Sequence, residues 1–448
     1  MPSPGSVAPR PTYLDAIAVY LKPRVLIVMF LGFSSGLPLA LSGATLLVWM
    51  RESGVDLGTI GLFALVGTPY TVKFLWAPLT DALDVPLLGR WLGRRRGWLV
   101  FTQLLLIAAI VFLGSTEPAR APALVALGAL LVAAASATQD IVVDAFRVES
   151  LPENEQAAGM ASYVAAYRIG MLVSTAGALF LVSAIQAHGF DKAAAWHWGY
   201  VAMAALVLIG TATALVATEP ERSRAAEAGH ARQKPFARIA AAALGAFKDF
   251  LSTEMAFVVL AFVVLFKFTD ALSGAMTAPF VIDLGFTRNE YAAIVKGVGL
   301  AALLAGGFAG GFVARALPLS TSLWIGAIVQ AAANLSFSWL ALAGHNPTAL
   351  AIAIVAENFT SAIGTVMFVA YLSALCRNPL HTATQYALLT ALAAVGRTYL
   401  SSGAGFIAES TGWMWFFVIC ALAGLPSLLL LWWLQMRGHF NRLEPKKS

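Results

Sequence analysis

Residues 121–149 read APALVALGALLVAAASATQDIVVDAFRVE. The stretch from Ala121 to Ala137 carries no charge, and it continues through Ile141, Val142 and Val143. That is the run of about 20 apolar residues that crosses a bilayer as one helix. Yet its end holds Asp140, Asp144 and Arg147. At 1.5 Å per residue, Asp140 lies about 10 Å inside the span's end. Asp144 follows one turn later on the same face.

The rest of the chain has the same character. It has 448 residues, 59% of them hydrophobic and 12% charged, with a mean hydropathy of +0.78. Soluble domains carry about 25% charged residues, so the composition predicts a polytopic all-α membrane protein. Twelve spans are expected, at 24–50, 59–80, 97–114, 121–147, 157–186, 195–217, 255–284, 289–313, 319–343, 348–375, 383–407 and 412–435. Residues 1–217 form a first six-helix unit and 255–448 a second with its tail. Residues 218–254 form a charged linker whose later part reads as an interfacial amphipathic helix. No cleavable signal peptide is expected, and Cys376 and Cys420 are expected to be free thiols.

Lysine and arginine set the orientation. Of the 29, twenty fall on the side of the termini, four (Arg51, Arg120, Lys192 and Arg288) on the other, and five inside spans. The termini should therefore face the cytoplasm. The pI of about 9.4 is then a topogenic signal, and a nucleic-acid partner is not expected.

The two units resemble each other. ALSGA occurs at 40–44 and again at 271–275; Arg147 and Arg377, then Arg168 and Arg397, recur at nearly the same offset. Six spans, a long loop and six spans with parallel internal repeats are the plan of the major facilitator fold. Asp81 followed by the GRRRGW turn (93–98) resembles that superfamily's cytoplasmic loop signature, with extra residues inserted.

Several stretches together resemble the AmpG-type muropeptide permeases and their relatives, which include acetyl-CoA transporters. They are LGFSSGLPLAL (31–41), YTVKFLWAPLTD (70–81), GRRRGW, SATQDIVVDAFRVE (136–149), YRIGMLVS (167–174), ENFTSAIGTVMFVAYLSALC (357–376) and ATQYALLTALAAVGR (383–397). The resemblance implies a proton-driven, multi-pass importer in a Gram-negative inner membrane. Its substrates would be N-acetylglucosaminyl-anhydro-N-acetylmuramic acid with or without stem peptide, its partners protons and the lipid bilayer, its state monomeric, and it would need no cofactor. A carrier for another bulky anion, such as a nucleotide or CoA derivative, is the alternative.

Ionisable groups inside hydrocarbon cost about 2.5–3.5 kcal/mol on insertion scales, so they mark function or pairing. Asp140, Asp270 and Glu357 are the proton-coupling candidates, because no acid recurs at the repeat offset. For Asp140 an ion pair with Lys73 is the other reading, and for Asp270 a local pair with Lys267. Arg168, Arg397, Lys267, Gln139, Tyr167 and Asn358 are the substrate-binding candidates; for the arginines a scaffold role is the rival, and for Gln139 helix packing. Asp81, Arg94, Arg95 and Asp144 are the gate candidates, with Asp144 expected to meet the GRRRGW loop. GFSSG (32–36) matches a hydrolase nucleophile pattern, but that pattern needs a strand, a sharp turn and a helix. Here it lies inside a span, where Pro38 and the glycines should instead kink the helix.

Overall fold

The computed structural model describes residues 18–220, 255–375 and 382–443. The expected amphipathic helix of the linker, Arg377, Cys376 and the side chain of Asp81 lie outside the described residues. Eleven helices are long and apolar enough to cross a membrane. We label them α1 (Pro23–Glu52), α2 (Leu57–Leu75), α3 (Arg94–Gly114), α4 (Pro122–Ser150), α5 (Ala158–Ala187), α6 (Lys192–Val216), α7 (Ala256–Asp283), α8 (Arg288–Ala314), α9 (Leu319–Ala343), α10 (Pro347–Leu375) and α12 (Trp413–Met436). The twelfth, α11, runs over Thr382–Tyr399, a tight turn at Leu400–Gly403 and Ala404–Thr411. Its arginine and hydroxyl residues dilute its hydropathy, while its packing against α2 and α7 places it within the bundle. Twelve crossings put both described ends on one face, here called the terminal side; the opposite face is the far side.

α1 bends where the sequence weakens it. Pro38 removes a backbone donor, and Gly43 leaves helical geometry (φ −110°, ψ −113°) within a widened turn at Leu41–Thr45. In hydrocarbon, freed carbonyls must find partners within the protein. The Tyr200 hydroxyl of α6 donates to the Leu41 carbonyl at 3.1 Å, and Ser42 Oγ donates to that of Pro38 at 3.0 Å. The second ALSGA, by contrast, sits in regular helix, and α7 breaks just before it, at Lys267.

Close helix packing rests on glycine. A Cβ on Gly36 or Gly170 would collide with the carbonyl of Tyr167 or Phe33, so α1 and α5 touch backbone to backbone. In α8, Gly306 and Gly310 face Phe359 and Ile363 of α10, while Gly307 and Gly311 meet nothing within 4 Å. These adjacent residues give an internally controlled test. Gly306→Val should lower the thermal midpoint in detergent by the equivalent of about 1–3 kcal/mol of overpacking, while Gly307→Val should leave it nearly unchanged. Equal effects would mean that the α8–α10 approach does not depend on the small residue.

Candidate functional site

The halves meet on the far side. The end of α1 packs on the end of α7, the start of α2 on the end of α11, and the end of α5 on the start of α8. The seam is tight: Gly61 of α2 lies against Gly405 of α11, and a Cβ on Gly405 would collide with the Leu57 carbonyl.

Beneath this seam lies a cavity of about 460 Å³ lined from both halves. α1 supplies Ser42 and Gly43, α2 supplies Tyr70 and Thr71, α7 supplies Asp270, Ala271 and Gly274, and α11 supplies Arg397 and Thr398. The two ALSGA copies thus form opposite walls, because equivalent helices of a repeat face each other across its axis. Thr71 and Thr398 approach to 3.4 Å across the floor.

The sequence-predicted polar residues divide into groups. Arg397 is exposed to the cavity. Arg168 is also solvent-exposed, and both arginines lie within electrostatic reach of Tyr167. Arg397 lines the cavity, and Arg168 and Tyr167 are not among its lining residues. Lys267 pairs with Asp270 and donates to Thr365 Oγ1 at 3.1 Å, and Ser361 Oγ donates to Asp270 Oδ2 at 2.8 Å. The local pair read from their spacing is present, and it sits at the cavity wall. Glu357 is half-buried on α10, with Lys267, Lys296 and Asp270 in electrostatic range.

Other residues are placed differently. Asp140 is buried and makes no ion pair with Lys73 among the described residues; Lys73 acts on it only through space. Its hydrogen-bond partner is Ser35, whose Oγ lies 3.4 Å from the Tyr163 hydroxyl. GFSSG is therefore ordinary helix of α1, and its second serine serves a carboxylate. Gln139 is fully buried, with no protein partner for either amide atom, and does not line the cavity. Asn358 Nδ2 donates to the Ile354 carbonyl of its own helix at 3.0 Å and packs on Gly299.

The expected meeting of Asp144 with the GRRRGW loop does not occur. Asp144 is half exposed and lies 3.7 Å from Arg147, one turn along its own helix. The acid that receives the loop is Glu149, which the sequence reading missed. Arg95 grips it with Nε at 2.9 Å and Nη2 at 2.5 Å, and Arg94 approaches to 3.5 Å. Asp144 lies deeper in the span, whereas Glu149 lies at the very end of α4. The loop is tied a second time: Glu219 accepts the backbone amides of Arg95 and Arg96 at 2.8 and 3.0 Å, as an acid does at a helix N-terminus. None of these contacts reaches the second half.

Sequence reasoning also missed the charges that join the halves. Arg51, ending α1, engages Asp283, ending α7, through Nε and through Nη2 at 2.8 Å. Trp413 Nε1 donates to the same carboxylate at 3.0 Å. Reciprocally, Arg288 of α8 grips Glu52 of α1 at 2.7 Å, donates to Gln186 Oε1 at 2.8 Å and lies 5.2 Å over the Trp196 ring. Lys192 donates to the Glu52 carbonyl. Three of the four cations that break the charge bias are thereby placed: Arg51 and Arg288 join the halves on the far side, and Lys192 holds the end of α1 within the first half. The fourth, Arg120, pairs locally with Glu117 at 3.0 Å.

Charge-assisted hydrogen bonds contribute about 1.5–3 kcal/mol each. Asp283→Arg should therefore shift the protein toward far-side-open forms by tenfold or more, read as faster thiol labelling, from the far side, of a reporter cysteine in the cavity wall. The cysteine is placed at Gly274, which lines the cavity and where a Cβ meets nothing within 4 Å. Adding Arg51→Asp should reverse the shift by restoring the pair. Labelling that ignores both changes would remove the ion pair from the closure.

The pattern of the Major Facilitator Superfamily matches residues 28–399. The chain is 38% identical over 417 residues to the anhydromuropeptide permease of Escherichia coli K12, covering 93% of this chain and 80% of that one. It is 34% identical over 425 residues to the putative transporter AmpG 4 of Rickettsia felis, covering 94% and 98%. Among solved structures, a D-xylose–proton symporter aligns with a TM-score of 0.64 at 13% identity over 92% of this chain and 97% of that one. A POT family transporter holding a thioalcohol-conjugated peptide aligns at 0.67 and 11% over 92% and 96%. Such low identities speak to the fold alone, and the fold they share is the one described here. The long matches to the permease and its relatives go further: the chain belongs to the AmpG-type permeases of the Major Facilitator Superfamily.

Proposed function

We propose that this protein imports anhydromuropeptides across the inner membrane by proton-driven alternating access. The observation that carries the substrate class is the 38% identity, over 93% of the chain, to the anhydromuropeptide permease of E. coli. The geometry supports it. A cavity bounded by Arg397, Asp270, Tyr70 and several hydroxyls suits a ligand with sugar hydroxyls and peptide carboxylates. Arginine's planar fork binds a carboxylate bidentately and keeps its charge. The twenty-to-four distribution of cations supports termini in the cytoplasm, so the closed far side would be periplasmic and the site would open inward.

The acids supply the coupling. Glu357 has no ion-pair partner of its own among the described residues, Asp270 is held by Lys267 and Ser361, and Lys267 also donates to Thr365. A carboxylate that competes for one lysine is a group whose proton can be exchanged as the halves rock.

Uptake of labelled disaccharide peptide into right-side-out vesicles tests both parts. The wild type should concentrate the label when an inward proton gradient is imposed, and an excess of a nucleotide or CoA derivative should not compete. Among Asp140→Asn, Asp270→Asn and Glu357→Gln, at least one should equilibrate the label without concentrating it. Gradient-driven accumulation at wild-type levels in all three would end the assignment of the proton to these acids; absence of uptake by the wild type would end the substrate assignment.

The arginines make a separable test. Arg168→Lys and Arg397→Lys keep the charge and lose the fork. Each should insert normally and weaken binding of peptide-bearing substrate about tenfold, the scale of one charge-assisted hydrogen bond, while binding of the bare disaccharide changes little. Unchanged affinity for the peptide-bearing form in both would return the arginines to the scaffold.

A further inference from the structure

A second cavity, on the outer surface of the first half, has a different chemistry. It holds about 550 Å³ between the terminal-side end of α2, the length of α3 and the middle of α4. Its walls include Trp76, Trp98, Phe101, Leu105, Phe112 and Leu131. Leu105 and Leu131 are nearly half exposed, so the groove opens outward rather than toward the partner half. On α3 it runs from Trp98 to Phe112, about 21 Å at 1.5 Å per residue. That exceeds one leaflet's share of a hydrocarbon core about 30 Å thick.

Its polar atoms are already spent. Thr80, Thr102 and Thr138 donate to carbonyls of their own helices at 2.9, 2.9 and 2.8 Å. Trp76 Nε1 donates to Thr138 Oγ1 at 3.1 Å, and Trp98 Nε1 to the Leu83 carbonyl at 2.7 Å. A sugar or peptide seated here would lose its hydrogen bonds with water and gain none. A hydrocarbon chain loses nothing.

The terminal-side mouth is basic and interfacial. The bond from Trp98 to Leu83 ties residues 83–98 across it. The short helix Leu88–Leu92 lies there, with the backbone of Leu88 and Gly89 against Gly97. Arg90 is exposed, Trp91 is 82% exposed and Leu87 66%. A tryptophan and leucines pointing outward beside arginines are what a headgroup region takes up. Asp84 lies against Gly89. Of the nearby arginines, Arg94 and Arg95 turn to Glu149 and Arg96 to the carbonyls of Ala214 and Leu215, so the exposed cation at this mouth is Arg90.

We propose that this groove is a binding site for one anionic phospholipid, with an acyl chain against Trp76, Trp98 and Phe101 and its phosphate headgroup at Arg90. Lipid tails are as apolar as leucine, so no hydrophobic gain holds the chain in the groove. Close packing and the headgroup charge must hold it. Packing is lost when the groove is filled, and charge selectivity is lost when Arg90 is removed. The site is separate from the inter-half cavity and does not depend on which solute the protein carries.

Native mass spectrometry of the full chain, released from nanodiscs of mixed phosphatidylglycerol and phosphatidylethanolamine, tests it. The wild type should keep one lipid through detergent stripping, with phosphatidylglycerol favoured about fivefold, the effect of roughly one basic residue near a membrane surface. Ala108→Trp, which fills the groove from α3, should lose that lipid. Arg90→Ala should keep a lipid but take both headgroups alike. Ala134→Phe fills the same groove from α4 and should match Ala108→Trp even if one of the two folds poorly. Equal lipid retention in the filled and unfilled proteins would reduce the groove to annular contact. An unchanged preference in Arg90→Ala, or a stripped dimer in place of a lipid adduct, would equally overturn the proposal.

Discussion

A backbone inside hydrocarbon has no water to bond with, and that constraint decides where this molecule is able to bend. The helix α1 departs from regularity at Gly43, and carbonyls beside the bend have partners close by. Tyr200 reaches across from α6 to Leu41, and Ser42 bonds back to Pro38; from α1, Thr45 Oγ1 in turn donates to the Ser174 carbonyl of the widened turn in α5 at 2.7 Å. The bend therefore costs little, and it brings Ser42 and Gly43 to the cavity wall. The same requirement confines irregularity in α7 to Lys267, whose side chain then lies beside Asp270 and Thr365. In α1 and α7 the irregular turn and the cavity wall thus lie close together, and in α7 the Lys267–Asp270 pair lies there too.

Charge placement obeys two rules at once. Basic residues gather on the terminal side and orient the chain. On the far side a cation is tolerated when it joins the halves: Arg51 and Arg288 each take an acid from the opposite half. The arrangement is reciprocal because α1 and α7 are equivalent helices of the repeat. Arg51 and Asp283 are 232 residues apart, close to the offset of the two ALSGA copies. Equivalent positions near the axis of two related halves come to face each other, and opposite charges at those positions make the contact attractive.

Much of this was legible in the sequence, and what was not has a physical cause. The spans followed from runs of apolar residues, the two halves from the repeat, and the Lys267–Asp270 pair from a spacing of three. Those signals are local or periodic. The far-side ion pairs were not read, since their partners are more than 230 residues apart. Their traces were present all the same, in Arg51 and Arg288, two of the cations that violate the charge bias. Glu149 escaped notice for another reason. At the end of α4 it reads as an ordinary surface charge, whereas Asp144, deeper in the span, draws the gate reading and lies beside Arg147 of its own helix instead. Gln139 shows the limit of reading a polar residue in a span as functional: it is buried within the first half, away from the cavity.

The strength of the far-side closure also fits the alternating access proposed for this protein. A carrier that rocks between two forms needs them within a few kcal/mol of each other. Fully buried ion pairs would be costly to form and very costly to separate. The residues here retain partial exposure, 24% and 18% for Arg51 and Asp283, 10% and 14% for Arg288 and Glu52. When the pairs part, water can reach each charge, so separation costs the hydrogen bonds but not a stranded ion. The glycine seam between Gly61 and Gly405 adds contact without interlocking side chains. Closure is thus built from interactions strong enough to favour one form and weak enough for a bound ligand to reverse.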